Sequence, residues 1–120
     1  MDKRYIREKV QLMLERPFYG SLIVRLQLRD WDLPTFGTDG EYLYCPKKCD
    51  FSSDEIKSIL AHEALHCALG HVFRVGTRDE MKWNVAADYA TNFILTNDNF
   101  RLPQGALLDK KFDNMHAEKI

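Results

Sequence analysis

Two histidines four residues apart, with a glutamate directly after the first, stand at His62-Glu63-Ala64-Leu65-His66. On a helix, positions i and i+4 lie on one face a turn apart, so both imidazoles can reach a single ion. The HExxH spacing on a helix is the pattern through which zinc-dependent hydrolysis of a peptide bond works. A catalytic zinc takes three protein ligands and keeps a further position for water. Water held there loses a proton near neutral pH, and the same ion polarises the scissile carbonyl. Glu63 is then the expected general base, passing a proton from that water to the leaving amine.

His62 and His66 supply two ligands, and two residues compete to be the third. His71 would complete a string of three histidines. If the helix continues, however, five residues turn through about 500°, leaving His71 about 140° away from His66. It becomes a ligand only if Gly70 breaks the helix and redirects the chain, and otherwise reads as a helix-end histidine or a support for another ligand. Asp88 is the preferred third ligand. It lies in Asn84-Val85-Ala86-Ala87-Asp88-Tyr89-Ala90, a carboxylate among small apolar residues. An unpaired charge is expensive to bury there, so it requires a cation or strong donors. Asn84 and Asn92, each one turn from Asp88, share its stripe and are placed to orient the ligands.

Blander readings stand beside these. His62 and His66 could be polar positions on an amphipathic helix, and Asp88 could pair with Arg74 or Arg78 in a structural ion pair. Tyr89 and Arg74 are candidates to stabilise the oxyanion. Cys45 and Cys49 form CxxxC and Cys67 lies within the motif. With no second matching pair, all three read as packing thiols. Trp83, Tyr89 and Phe93 sit at core spacing.

The elements that must position these groups follow from pattern. Residues 3 to 16 have helical spacing, with Tyr5, Ile6, Val10, Leu12, Met13 and Leu14 forming the apolar side and Pro17 ending it. From Ser21 to Arg29 the period switches to two, which predicts a strand, closed by Trp31-Asp32-Leu33-Pro34. A Thr38-Asp39-Gly40 turn leads to a second strand at 41 to 45, expected at a sheet edge where an extended peptide could add. Ser52 to Glu55 is a capping box, so the motif helix should start near residue 53 and run to about Arg74, with Gly76 as its stop. Thr77 to Glu80 reads as a second capping box opening a helix from about 79 to 96. The tail from Asn97 to Asn114 is irregular, and His116 to Ile120 resembles the first turn of a further helix, as in a piece of a longer architecture.

At 120 residues the chain is expected to be one α+β domain that buries roughly two-thirds of its unfolded surface. A formal charge of −1 gives no basic surface for nucleic acid or anionic lipid. No apolar run is long enough to span a bilayer, and no signal-peptide core follows Met1 to Arg4. Three cysteines, an odd number, fit a reducing compartment, and a cytoplasmic location is expected.

The run from Arg16 to Ile120 resembles a metallopeptidase domain of bacterial and phage proteins, zincin-like, that often precedes a von Willebrand factor A-like domain. The resemblance rests on Arg16-Pro17-Phe18, Pro34-Thr35, Thr38-Asp39-Gly40 and Leu60 to His71. It continues through Arg74, Trp83 to Tyr89, Asn92, and Leu102 to Asp109. It implies a compact zincin-like fold: an N-terminal helix, a small sheet, the motif helix and a ligand-bearing helix behind it. It carries His62, Glu63 and His66 over directly and implies Zn2+, a peptide or protein substrate, and a von Willebrand factor A-like or ATPase partner. Two rival functions remain open. One is a zinc-dependent ribonuclease-like hydrolase in which His71 is a ligand. The other is a non-catalytic module with a closed zinc site, held by both His71 and Asp88.

Overall fold

The computed structural model describes every residue except Val72, Gln104 and Asp113. Asp2 caps the first helix, α1 (Lys3–Glu15), its carboxylate accepting the Arg4 N–H at 2.9 Å. The inward stripe of α1 is Tyr5, Glu8 and Leu12, at spacings of three and four. Ile6, Val10, Met13 and Leu14, expected on the apolar side, are exposed. Glu8 is tolerated inside because Arg7 reaches it at 3.0 Å and Lys57 at 4.0 Å.

The strand expected from 21 to 29 is only partly a strand. Residues Pro17–Ile23 form α2, and β1 is limited to Gln27–Trp31. Proline is preorganised for a helix's first turn, and Tyr19, Ile23 and Leu26 bury themselves at spacings of four and three. Gly20 decides the matter. A Cβ there would lie 2.7 Å from the Met13 Cα, so α2 packs on α1 only because this position has none. Gly20→Ala should therefore destabilise the fold by about 1–3 kcal/mol, as overpacking does. A urea midpoint equal to wild type would contradict this.

Three strands form one sheet in the order β1-β3-β2. β3 (Tyr42–Pro46) runs parallel to β1, from Gln27 opposite Tyr42 to Trp31 opposite Pro46. β2 (Gly37–Thr38) pairs antiparallel with the other side of β3. The strand expected at the edge is thus the central one, and β2 is an edge. The turn explains the arrangement. Asp39 Oδ1 accepts the N–H groups of Glu41 and Tyr42, and Gly40 takes φ +94°, folding residues 37 and 38 back along β3. Leu43 and Cys45 on β3 are fully buried, as a central strand requires.

The motif helix, α3 (Ser53–Ala68), starts as expected. Both halves of its capping box are present: Glu55 N–H to Ser52 Oγ at 3.3 Å, and Ser52 N–H to Glu55 Oε1 at 3.0 Å. It stops at Ala68, well before Arg74. Gly70 adopts φ +69°, its N–H bonds the Cys67 carbonyl, and the His71 N–H bonds the His66 carbonyl, both at 3.1 Å. These two bonds are a Schellman cap. The next helix, α4 (Glu80–Asn97), is capped by Asp79 rather than Thr77, with Asp79 Oδ1 accepting the Lys82 N–H at 3.0 Å.

After α4 the tail carries two 3-10 turns, Lys110–Phe112 and Ala117–Lys119, the second standing where a helix start was expected. One core joins Tyr5, Leu12, Ile23, Leu43, Ile56, Leu60 and Leu95. A smaller one, around Trp83, Ala86, Ala87 and Ala117, holds the far end of α4. Among the described residues, no helix is long and apolar enough to cross a membrane.

Candidate metal centre

α3 and α4 pack side by side, and their facing polar residues meet at one point. His62 Nε2 lies 3.0 Å from Asp88 Oδ1, His66 Nε2 lies 2.9 Å from the same oxygen, and the two Nε2 atoms are 2.7 Å apart. Among the described residues, this is the one group of three histidine, cysteine or acidic side chains that converges closely enough to share an ion.

The hydrogen bonds behind the trio determine what its atoms can do. Asn92 Nδ2 donates to the Leu107 carbonyl at 2.9 Å, which turns Asn92 Oδ1 toward His62 Nδ1 at 2.7 Å. His62 must then carry a proton on Nδ1, and its neutral form presents a lone pair at Nε2. A carboxylate oxygen and two Nε2 atoms thus face one another at hydrogen-bond distance. Acceptors so arranged repel unless protons or a metal cation lie between them. Two imidazoles and a carboxylate are a donor set that suits zinc.

Charge follows the same geometry. Without an ion, protons on the facing Nε2 atoms take its place: burial works to raise the Asp88 carboxyl, but the hydrogen bonds those Nε2–H groups of His62 and His66 donate prevail and hold it well below the usual carboxylate range. Burial pulls His62 down, while Asp88, the Glu63 charge and Asn92 together leave it above its ordinary value. Glu63 is buried, and burial raises its carboxyl, with His62 and His66 pulling the other way. Asn92→Ala removes the acceptor for His62 and should weaken metal binding about 10–100-fold. A competition titration with a chromogenic chelator measures this, and an unchanged affinity would show that Asn92 orients nothing.

Gly70 does break the helix, yet this does not bring His71 into the trio. The Schellman turn sets His71 behind His66, with their Nδ1 atoms 2.8 Å apart, on the side of the His66 ring away from Asp88. His71 is buried and its carbonyl accepts the Trp83 indole N–H at 2.7 Å. Burial, with His66 and Arg74 nearby, pushes its pKa down to about 4, so it is a neutral acceptor for a proton on His66.

The other candidates are engaged elsewhere. Arg74 pairs with Glu118 at 2.9 Å and caps the Leu69 carbonyl, and Arg78 bonds the carbonyls of Arg74 and Val75. Neither takes Asp88. Tyr89 packs edge-on against Phe112. The three cysteines are free thiols outside the trio; burial pushes Cys45 up to about 12, and Cys67 Sγ lies 3.3 Å from Thr38 Oγ1.

Two cavities of about 350 Å³ each meet at Phe36, His62, Glu63 and Asp88. One continues past Thr38, His71 and Asn84; the other opens between Phe51, Ile59 and Leu107. The segment from Pro34 to Thr38, with β2 at its end, walls both. This wall was missed from the sequence, although the Thr38-Asp39-Gly40 turn implies a strand on its near side as well as its far side.

In this α+β fold two helices turn two histidines and an acidic residue toward one point, beside a buried glutamate, an arrangement that could hold a metal ion. The chain belongs to the family described as "Putative metallopeptidase domain", whose model matches residues 2–120. Comparison with curated proteins and with solved structures gave no match.

Proposed function

We propose that this domain is a zinc-dependent peptidase in which His62, His66 and Asp88 hold the ion and Glu63 is the general base. The observation that carries the reading is the convergence of three acceptor atoms beside a buried carboxylate in an open cleft. A divalent ion bound by this set supplies Lewis acidity, activating water and polarising the scissile carbonyl. Glu63 takes the proton released by the attacking water and delivers it to the amine that leaves. Burial, which raises its carboxyl, suits it to both transfers. Asn92 and His71 hold the two imidazoles by their Nδ1 atoms, so that each Nε2 stays aimed at the ion.

The substrate backbone has a natural partner in β2. Its outer edge borders the cavity that contains His62, Glu63 and His66, and an extended peptide adding there would lie across the site. This replaces β3, whose two sides are taken by β1 and β2.

The test is to load the purified protein with one equivalent of zinc and follow a denatured protein substrate by mass spectrometry. New peptide termini that appear with zinc and vanish with a chelator support the reading. No cleavage at any zinc loading would sink it.

A further inference from the structure

The cleft is unequal on its two sides, and that inequality bears on the substrate. Beyond Glu63 in one direction, Phe36, Phe51, Ile59, Leu102 and Leu107 line an open, mainly apolar chamber of about 350 Å³. In the other direction the lining is polar, with Thr38, His71 and Asn84. The chamber's outer wall is formed by Leu102 and Pro103 with Gly105 to Leu107, and hydrogen bonds tie it down on both sides. Ser58 Oγ on α3 donates to the Arg101 carbonyl, and Asn92 Nδ2 on α4 donates to the Leu107 carbonyl. The turn within it is closed by the Ala106 N–H on the Pro103 carbonyl at 3.2 Å, with Gly105 at φ +87°. The same two helices thus carry the trio and fix the chamber wall.

The cleft continues past the chamber at one end, and its polar side is open at the other. Pro34 and Phe51 belong both to the chamber and to a further recess beside Trp31 and Lys47. Among the described residues, no lysine or arginine lines either cavity beside the trio, so neither offers a cation for a chain-terminal carboxylate. Their carboxylates are Glu63 and Asp88, both engaged at the site.

We infer that the domain takes an internal, extended segment of a polypeptide and seats a large apolar side chain, of the leucine or phenylalanine kind, in the chamber beside the scissile bond. This rests on the peptidase reading and specifies its substrate. The chamber supplies apolar burial for one side chain, while the open ends let the chain pass through.

Two readouts separate this inference from the reading beneath it. The first is the cleavage profile of zinc-loaded wild type on a peptide library, compared with Ile59→Trp, which fills the chamber, and Ile59→Ala, which enlarges it. The second is fluorescence anisotropy of zinc-loaded Glu63→Gln with end-capped, labelled octapeptides carrying phenylalanine, leucine or alanine at one position. Internal cuts beside leucine or phenylalanine are expected, moving to small residues in Ile59→Trp, with at least tenfold tighter binding of the apolar peptides. Ile59→Ala, which leaves a smaller side chain at a half-buried position of α3, keeps the comparison usable if the tryptophan variant does not fold. Cleavage without side-chain preference, or trimming only from chain ends, would overturn the inference and leave the peptidase reading intact. Apolar-selective binding without cleavage by wild type would uphold the chamber and remove the peptidase. Neither binding nor cleavage would remove both.

Discussion

Asp88→Ala is expected to lose the bound ion while keeping the fold. In the protein with Asp88, one carboxylate oxygen sits within 3.0 Å of both Nε2 atoms, and the side chain is 39% exposed. Removing it from α4 opens no large hole, so folding should survive. The metal should not. Outer contacts to a ligand are worth about 10–100-fold in affinity, and deleting a ligand itself should cost more. Elemental analysis should fall from near one zinc per chain to near none. A thermal melt gives an independent reading. An ion at a thousandfold excess over its Kd stabilises the folded state by about 4 kcal/mol. Wild type should therefore melt at higher temperature with zinc, and Asp88→Ala should not respond. If His71→Ala abolishes zinc uptake and Asp88→Ala spares it, the ligand assignment is wrong and the histidine-rich alternative gains.

Glu63→Gln should have the largest effect on rate and almost none on metal content. Glutamine matches glutamate in shape but cannot accept the proton from the attacking water. General acid–base groups contribute about 10²–10⁴ in rate, and Glu63 would serve in both transfers, so a loss toward the upper end is expected. Stability should hold or rise slightly, since the change removes a carboxyl that burial disfavours in its charged form. The paired measurement is initial cleavage rate and zinc content on the same preparation. A variant that keeps zinc and full activity would leave Glu63 without its proposed role. A variant that loses zinc would point to a different role, in building the site.

The features readable from sequence are those set by local spacing. The i,i+4 histidines, the capping box at Ser52 and Glu55, and Asp88 among alanines each follow from helix geometry or from the cost of burying a charge. What escaped was decided by contacts between distant residues or by competition between near-equal signals. Leu22, Val24, Leu26 and Leu28 satisfy a period of two, while Tyr19, Ile23 and Leu26 satisfy a helical one. The close contact of Gly20 with Met13 settles it for the helix as far as Ile23. Gly70 and Gly76 both take positive φ, so either could have ended α3. The Schellman bonds around Gly70 choose the first. β2 is two residues long, too short to show any alternation. Its existence shows only in the turn that follows it, and with it went the correct place of β3 in the sheet.

The brevity of β2 has a bearing on how the protein behaves in a crowded solution. A long row of free amide and carbonyl groups invites a second copy of the same chain to zip on, which is how many sheet proteins aggregate. Two residues offer too few bonds for that. They suffice to align a visiting backbone that gains the rest of its hold from a side-chain pocket, so this edge can be receptive to other polypeptides without inviting a second copy of itself.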